Sequence, residues 1–512
     1  MAARKQILIL KRIRDKVLVI IASILFTIII IPVFLLFMVP CYIYRFIVAQ
    51  LAKVLNPGLG KLLCTRSALC AVDDLYTFPK CTLLGVAIVG GEVDAEQMRE
   101  AMMKKVIEAK DKHGHHIYPE FQQYFSQWLG FLFWKWEKDF RMDEHITYYE
   151  PSLNKQVDDK ELVQLRHDLV KKPYVNGKSP WEIVLVKNYV PSYLIPENDD
   201  GTGGPYPGPK SVVIVRLHHG MADGYSMLEL FLNSIDNDNV KREDLAKPRF
   251  RKRSFLQSLM YWTVVWISVP YYVTQELLTT YDNNALHPKG VKLTREAYSA
   301  GDSVPVATIK KIRSTYNVTF SAVVMSALAG GIRKFMLVND MKIPDKMHVV
   351  TPLPWPGHPS TLRNYWSFCI MKLPLEVADA RERLKVLHKK REKIVHSAVA
   401  AMNFTLVPLV GALPHPVLNF FAQRNATTIM MSNFPGPPVT GTFFGHPILY
   451  GSFGGGLGRG NLGFGVAMLS YRGTLSFGIG IDQAIIPNNE KAQELLRFIK
   501  DEIHILEQDT VV

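Results

Sequence analysis

Residues 17–39 read VLVIIASILFTIIIIPVFLLFMV and carry no charge. That length suffices to cross a hydrocarbon core of roughly 30 Å. A secretory signal has a shorter apolar stretch, about 7–15 residues, followed by a small-residue cleavage site, and none follows Val39. The pattern therefore predicts an uncleaved anchor. Arg4, Lys5, Lys11, Arg12, Arg14 and Lys16 precede the run while Arg45, Lys53, Lys61 and Arg66 follow it, so charge pulls its orientation both ways. Pro32 within the run and Pro40 at its end allow a re-entrant hairpin beside a straight span.

A second uncharged stretch, residues 255–274 (FLQSLMYWTVVWISVPYYVT), follows the basic residues Arg249, Arg251, Lys252 and Arg253. Its Ser, Thr, Gln, Trp and Tyr content fits either a helix at headgroup level or a buried linker helix. Between the two, apolar β-type runs at 181–190 and 211–217 flank a Gly/Pro-rich loop at 196–210, the pattern of an insertion in a strand pair. The polar, charged segment 236–253 reads as a linker. Small and apolar residues fill 321–337, predicting a mostly buried helix. Residues 489–507 have helical apolar spacing at Leu495, Leu496, Ile499, Ile503 and Leu506. Strands and helices of both periods predict an α/β or α+β enzyme rather than a helical membrane bundle.

With 512 residues, 48% hydrophobic and 21% charged, the chain can bury a large core in two or more units. Its net charge of +14 implies an anionic partner. Membrane lipid is favoured over nucleic acid, because the basic residues near the start flank an apolar stretch and no basic run alternates with aromatics. The five cysteines, Cys41, Cys64, Cys70, Cys81 and Cys369, fit neither a disulfide framework nor a zinc site. They read as buried thiols of a reducing compartment, so no metal and no bound cofactor is expected.

The run 211–217 ends directly in His218, His219, Gly220, Met221, Ala222, Asp223 and Gly224, an HHxxxDG motif. A strand-end histidine can hold a neutral imidazole able to take a proton from an alcohol. Asp223 can fix the loop that aims the ring, by bonding ring or backbone or pairing with an Arg. Gly224 is expected to supply a backbone conformation denied to other residues. A metal pair is disfavoured, since adjacent histidines on a strand face apart. The glycine-rich run 451–465 lacks the setting and terminal Lys-Ser/Thr of a phosphate loop and is read as a flexible loop near an opening. His145, His358 and His446 are read as structural.

With this motif, five patches carry a resemblance that spans about Leu75 to the C-terminus. They are Ser179-Pro180-Trp181-Glu182, Asp143-Glu144-His145-Ile146, Asn364 ahead of a strand ending in Leu-Pro, the Ser432 to Pro437 turn (SNFPGP), and Leu469 to Gly473 with Ile481-Asp482. The chain resembles the wax ester synthase / diacylglycerol acyltransferase family, related in fold to chloramphenicol acetyltransferase and to condensation domains of peptide synthetases. It departs from the family pattern at Ser321-Ala322, where an Asn-Asp pair stands in the family. The N-terminal anchor implies a eukaryotic membrane form.

The resemblance implies two chloramphenicol-acetyltransferase-like subdomains around a central tunnel. Expected boundaries are 1–48 for the anchor, 70–240 for the first subdomain, 241–290 for a linker and 291–512 for the second subdomain. His219 becomes the general base of acyl transfer from acyl-CoA, a co-substrate, to a lipid alcohol, with Asp223 structural and His218 and Gly224 completing the motif. Asn433, Ser321 or a backbone N–H would serve the oxyanion; Asn364 and Trp181 are further candidate substrate contacts, although Trp181 and Glu182 equally read as strand packing. No acyl-enzyme is required. The acceptor stays open among a long-chain alcohol, diacylglycerol and a sterol-like or isoprenoid alcohol. A carrier-dependent condensation reaction and a non-catalytic lipid-binding scaffold are the alternatives. The body is expected on the cytosolic face of the endoplasmic reticulum, since glycans on the sequons Asn317 and Asn425, two of three with Asn403, would disturb the core.

Overall fold

The computed structural model describes residue 14 and residues 16–193, 195, 206–234, 253–294, 296–359, 361–421, 427–458 and 460–508. Residues 196–205 of the expected loop, 236–252 of the expected linker with Arg249, Arg251 and Lys252, the basic residues Arg4, Lys5, Lys11 and Arg12, and Asn425 lie outside them.

The apolar run forms one continuous helix, α1 (Lys16–Leu55), with no break at either proline. The re-entrant hairpin is thus overturned. A π-turn over Phe26–Ile30, closed by the Ile31 amide on the Phe26 carbonyl, comes just before Pro32. The wider turn makes room for a residue that donates no hydrogen bond and crowds the preceding turn. Most side chains from 17 to 37 are exposed and apolar, as a lipid-facing helix requires. The second half of α1 instead packs on the body. Met38, Val48 and Ala52 are buried, and the Arg45 guanidinium donates to the Leu63 carbonyl at 2.7 Å. The apolar helix therefore continues past residue 48 without a break and packs its second half on the body.

Two mixed sheets form the body. Strands β1 (Thr82–Gly90), β4 (Ile146–Tyr148), β5 (Trp181–Val186), β6 (Lys210–His218), β11 (Thr442–Phe443) and β12 (His446–Gly455) lie in the order β11-β12-β1-β6-β5-β4. Strands β7 (Ala297–Pro305), β8 (His348–Pro354), β9 (Trp366–Lys372), β10 (Ile429–Pro435), β13 (Phe464–Tyr471) and β14 (Thr474–Asp482) lie in the order β7-β14-β13-β10-β8-β9. A small hairpin, β2 (Gln123–Trp128) and β3 (Phe131–Trp136), stands apart. As the sequence suggests, β5 and β6 pair antiparallel across the long insertion. The glycine-rich run is only partly a loop: Gly451–Gly455 belong to β12, which pairs with β1. Glycines suit that strand because backbones crowd it, the Thr82 carbonyl lying 2.2 Å from where a Cβ on Gly455 would stand. Through β11 and β12, the C-terminal half completes the sheet of the N-terminal half.

The helices used below are α2 (Thr65–Cys70), α3 (Asp159–Lys171), α4 (Gly224–Ser234), α5 (Phe255–Thr279), α6 (Phe320–Val338), α7 (Ala380–Val395), α8 (Val399–Gly411), α9 (His415–Phe421) and α10 (Asn489–Gln508). Helix α6 is buried along most of its length, and α10 covers it with Leu495, Leu496, Ile499, Ile503 and Leu506. Helix α5 is not the buried linker helix weighed from its sequence. Only Val265 and Thr274 are buried, while Phe255, Leu256, Leu259, Met260, Trp266 and Ile267 are exposed. It lies against the π-turn of α1 and against α8.

Where α6 crosses α10, a Cβ on Gly331 would fall 2.6 Å from the Ile499 amide nitrogen, so one helix backbone rests on the other. We expect Gly331→Ala to destabilise the second lobe by about 1–3 kcal/mol, as overpacking does. Thermal unfolding should show a clear drop for this variant and almost none for Leu337→Ala, whose side chain is exposed.

Candidate active site

Strands β1 and β6 end together, with Thr82 opposite His218, and the His219 amide then donates to the Cys81 carbonyl at 2.7 Å. The ladder thus continues one residue beyond the strand. The His218 carbonyl receives the Met221 amide at 2.9 Å, which turns the chain sharply toward α4.

His218 is fully buried. The Gly220 amide donates to its Nδ1 at 3.1 Å, which leaves the proton on Nε2, and Nε2 donates to the Asp73 carboxylate at 3.0 Å. Burial pushes the Asp73 carboxyl up, but the His218 bond and the Cys81 and Lys80 amides outweigh it and hold it below the usual range. Phe125 and Tyr174 meet the ring edge-on. With both nitrogens engaged, His218 is a positioning residue rather than a catalytic one.

His219 differs on each count. Its residue is half-buried, and its Nδ1 has no hydrogen-bond partner among the described residues. Burial lowers its pKa below the ordinary imidazole value, against the opposing pull of Asp223. A neutral ring is the state a general base needs, and because Nδ1 is a buried atom the nitrogen within reach of a substrate is Nε2. Its carbonyl is held by the Asn364 Nδ2 at 2.7 Å.

Asp223 accepts the Ser226 amide at 2.8 Å, capping α4, and the Tyr365 amide at 2.7 Å; His358 Nε2 lies 3.2 Å away. Burial raises its carboxyl, yet His358 and the two amides outweigh it and hold the pKa below the usual carboxylate range. The partner is therefore a histidine and not an arginine. His358, read from sequence as merely structural, is the side chain that braces the motif's acid.

Gly224 also has a different role from the one expected. Its φ is not in the left-handed region, but a Cβ there would fall 2.5 Å from the Phe434 ring. The glycine lets the end of β10 close on the start of α4. Strand alternation then turns Asn433 away from this contact. Asn433 has the parity of the core residues Ile429 and Met431, and its register partner Met468 is buried in the same core. Asn433 is thus not aimed at the histidines as an oxyanion donor would be.

Asn364 is fully buried, bonding Ser67 Oγ at 3.1 Å and the Trp366 indole at 3.1 Å as well as the His219 carbonyl. It positions His219 and has no surface left for substrate. Trp181 is likewise taken: its indole N–H donates to the Phe121 carbonyl at 2.8 Å and its ring stacks on His145 at 4.4 Å. Glu182 pairs with Arg216 and Lys172, as packing predicts. Ser321 stands in the first turn of α6, in the other lobe, and no described contact joins it to the histidine turn. Among the described residues no group of three or more His, Cys, Asp or Glu side chains is arranged to hold a metal ion.

Sequence reading missed Asp73, which touches the motif from a distant segment, and Ser67, which holds Asn364; it had His358 as structural without its partner and Phe434 only as part of the Ser432 to Pro437 turn.

Residues 362–507 match the model of the WS/DGAT C-terminal domain. A Mycobacterium tuberculosis H37Rv protein named as a probable diacylglycerol O-acyltransferase, tgs1, is 21% identical over 402 residues, 73% of this chain and 81% of that protein. The O-acyltransferase WSD of Acinetobacter baylyi is 20% identical over 59% of this chain and 71% of its own length. The solved wax ester synthase/diacylglycerol acyltransferase of Marinobacter aquaeolei VT8 superposes with a TM-score of 0.56 at 16% identity, covering 88% of this chain and all 100% of that one. A starter condensation domain of rhizomide synthetase, solved with C8-CoA, gives 0.58 at 11% identity over 90% of this chain and 98% of that one. Residues 362–507 thus resemble a WS/DGAT C-terminal domain, and the chain has the fold of that wax ester synthase and of condensation domains.

Proposed function

We propose that this protein transfers a fatty acyl group from acyl-coenzyme A to a lipid hydroxyl, of a long-chain alcohol or diacylglycerol, with His219 as general base. The observation that carries this reading is His219 itself: half-buried, its pKa lowered, Nδ1 enclosed so that Nε2 is the reachable nitrogen, its backbone clamped by Asn364. The names of the mycobacterial and Acinetobacter relatives support it.

In the reaction, the imidazole takes the hydroxyl proton as the alcohol oxygen bonds to the thioester carbonyl carbon. The tetrahedral intermediate then expels the thiolate as the C–S bond breaks, and the imidazolium returns the proton to sulfur. An ester and free coenzyme A result. A backbone N–H suits the oxyanion better than Asn433 or Ser321, given where those side chains stand. Coenzyme A and the alcohol would approach from opposite mouths of a passage between the lobes.

The apolar part of α1 would span the membrane of the endoplasmic reticulum, with the exposed face of α5 beside it and the body in the cytosol. The sequon residue Asn403 supports a cytosolic body, because it is buried with its amide on the Phe368 carbonyl.

Replacing His219 by Ala should cut kcat by about 10²–10⁴-fold while leaving the fold and membrane attachment intact. In the wild type, the base is active above its pKa, and burial lowers that pKa, so the acid limb of kcat/KM should fall below pH 6.5, the ordinary imidazole value. A limb above it, or a variant within a few-fold of wild type, would contradict the mechanism.

Asp223→Asn should lose both activity and about 3 kcal/mol of stability, since it leaves buried donors without their charge. A depressed carboxyl contributes stability above its unfolded pKa of about 3.9 and loses it as pH falls through the folded value. The melting gap between variant and wild type should accordingly be full at pH 7 and shrink in acid below about pH 4.

Truncation before Met38 should partly release the protein from membranes in alkaline carbonate, and adding Leu259→Glu and Ile267→Glu should release it fully. Firm retention of that combined variant would refute the roles given to α1 and α5. A glycosidase-sensitive shift at Asn317 would reverse the orientation.

A further inference from the structure

Helix α3 packs Leu162, Leu165 and Leu169 into the core on its side of the first sheet, and Arg166 from the same helix reaches β12. One guanidinium nitrogen lies 3.6 Å from where a Cβ on Gly454 would stand. The charges it senses are the phenol groups of Tyr450, Tyr193 and Tyr189. Burial lowers its pKa, yet the residue keeps accessible surface. The guanidinium, set between β12 and the tyrosines, is thus desolvated without being fully enclosed, and we call its surroundings the recess.

No hydrogen bond or ion pair joins Arg166 to any described residue. The acids around it are otherwise engaged. Asp159 accepts the Tyr189 hydroxyl together with the Ser192 amide and hydroxyl. Asp302, which faces Tyr450, is held by Lys500 at 2.8 Å, and Glu296 by Lys171 at 3.4 Å. Removing a guanidinium from water without a counter-charge is costly, and its planar fork matches phosphate oxygens. Tyr193, exposed at the rim, meets Tyr450 edge-on at 6.1 Å and offers an aromatic wall.

The recess stands near the histidine turn. Gly454 pairs with Leu84, Leu84 with Arg216, and His218 follows two residues later. Two strand spacings and two residue rises put the backbones on the order of 12 Å apart. That separation is within the reach of the pantetheine arm of a thioester donor.

We propose that Arg166, with the Tyr193 and Tyr450 hydroxyls, binds a phosphate on the nucleotide end of the acyl-coenzyme A donor. The proposal rests on the acyl-coenzyme A reading of the histidine site, and the probes separate the two. With the full-length protein in detergent micelles, Arg166→Gln should weaken calorimetric binding of adenosine bisphosphate, the nucleotide end of coenzyme A, by about tenfold, and Arg166→Lys should restore part of it. KM for acyl-coenzyme A should rise about tenfold with kcat within about twofold, while KM for the matching acyl-pantetheine, which lacks the nucleotide, stays unchanged. Equal losses with both donors, or unchanged adenosine bisphosphate binding, would overturn the assignment. So would a variant that loses flotation with phosphatidylserine vesicles but keeps nucleotide binding, since the recess would then serve a lipid headgroup. Wild-type protein that binds adenosine bisphosphate through Arg166 yet transfers no acyl group would instead count against the proposed reaction.

Discussion

The buried carboxylate of Asp223 is the interaction on which the site's geometry depends. It lies between the two lobes, taking the Ser226 amide from its own helix and the Tyr365 amide and His358 ring from the other half of the chain. An uncompensated charge in that position would cost several kcal/mol, so the lobes can approach only in the arrangement that supplies all three partners. The adjacent Asn364 then holds the His219 carbonyl from the same loop. Catalytic alignment and lobe closure are in this sense one structural fact.

Strand β12 serves the same end by another route. Because it leaves the C-terminal half to pair with β1, the two halves of the chain share one hydrogen-bonded sheet, and hinge motion between lobes must strain that ladder. The Phe434 contact on Gly224 adds a close steric stop at the start of α4. The site is built from a rigid junction rather than from loops alone.

How much of this was legible follows from distance along the chain. HHxxxDG was readable because its chemistry is local: a strand, a turn and a cap within seven residues. Helices α6 and α10 were readable because a 3.6-residue period needs no partner to be seen. Asp73 lies 145 residues from His218 and His358 lies 135 from Asp223, and neither sits in a pattern that announces its partner. A motif gives identity without strand parity, so the sequence did not show that Asn433 stands on the same strand face as the core residues Ile429 and Met431. Gly224 was singled out for a backbone conformation it does not adopt; its role is steric, and a contact from another lobe leaves no trace in the local sequence. Asn364 was singled out correctly, yet complete burial makes it a brace where a substrate contact was expected.

Helix α8 joins the two exposed apolar helices to the histidine turn. Its Phe404 stacks on Trp355 at 4.2 Å and meets Tyr365, whose amide is bound by Asp223. Its backbone at Ala400 accepts Ser367 Oγ at 2.6 Å, and Asn403 donates to Phe368, so α8 is fastened to β9 just beyond Asn364. On its other side α8 touches α5, and Tyr42 of α1 donates to the Pro408 carbonyl within it. The exposed apolar helices thus reach the histidine turn through packed aromatic rings and short hydrogen bonds, with no flexible linker between. Helices α1 and α5 are thereby linked through α8 to Tyr365, the residue that completes the Asp223 cage.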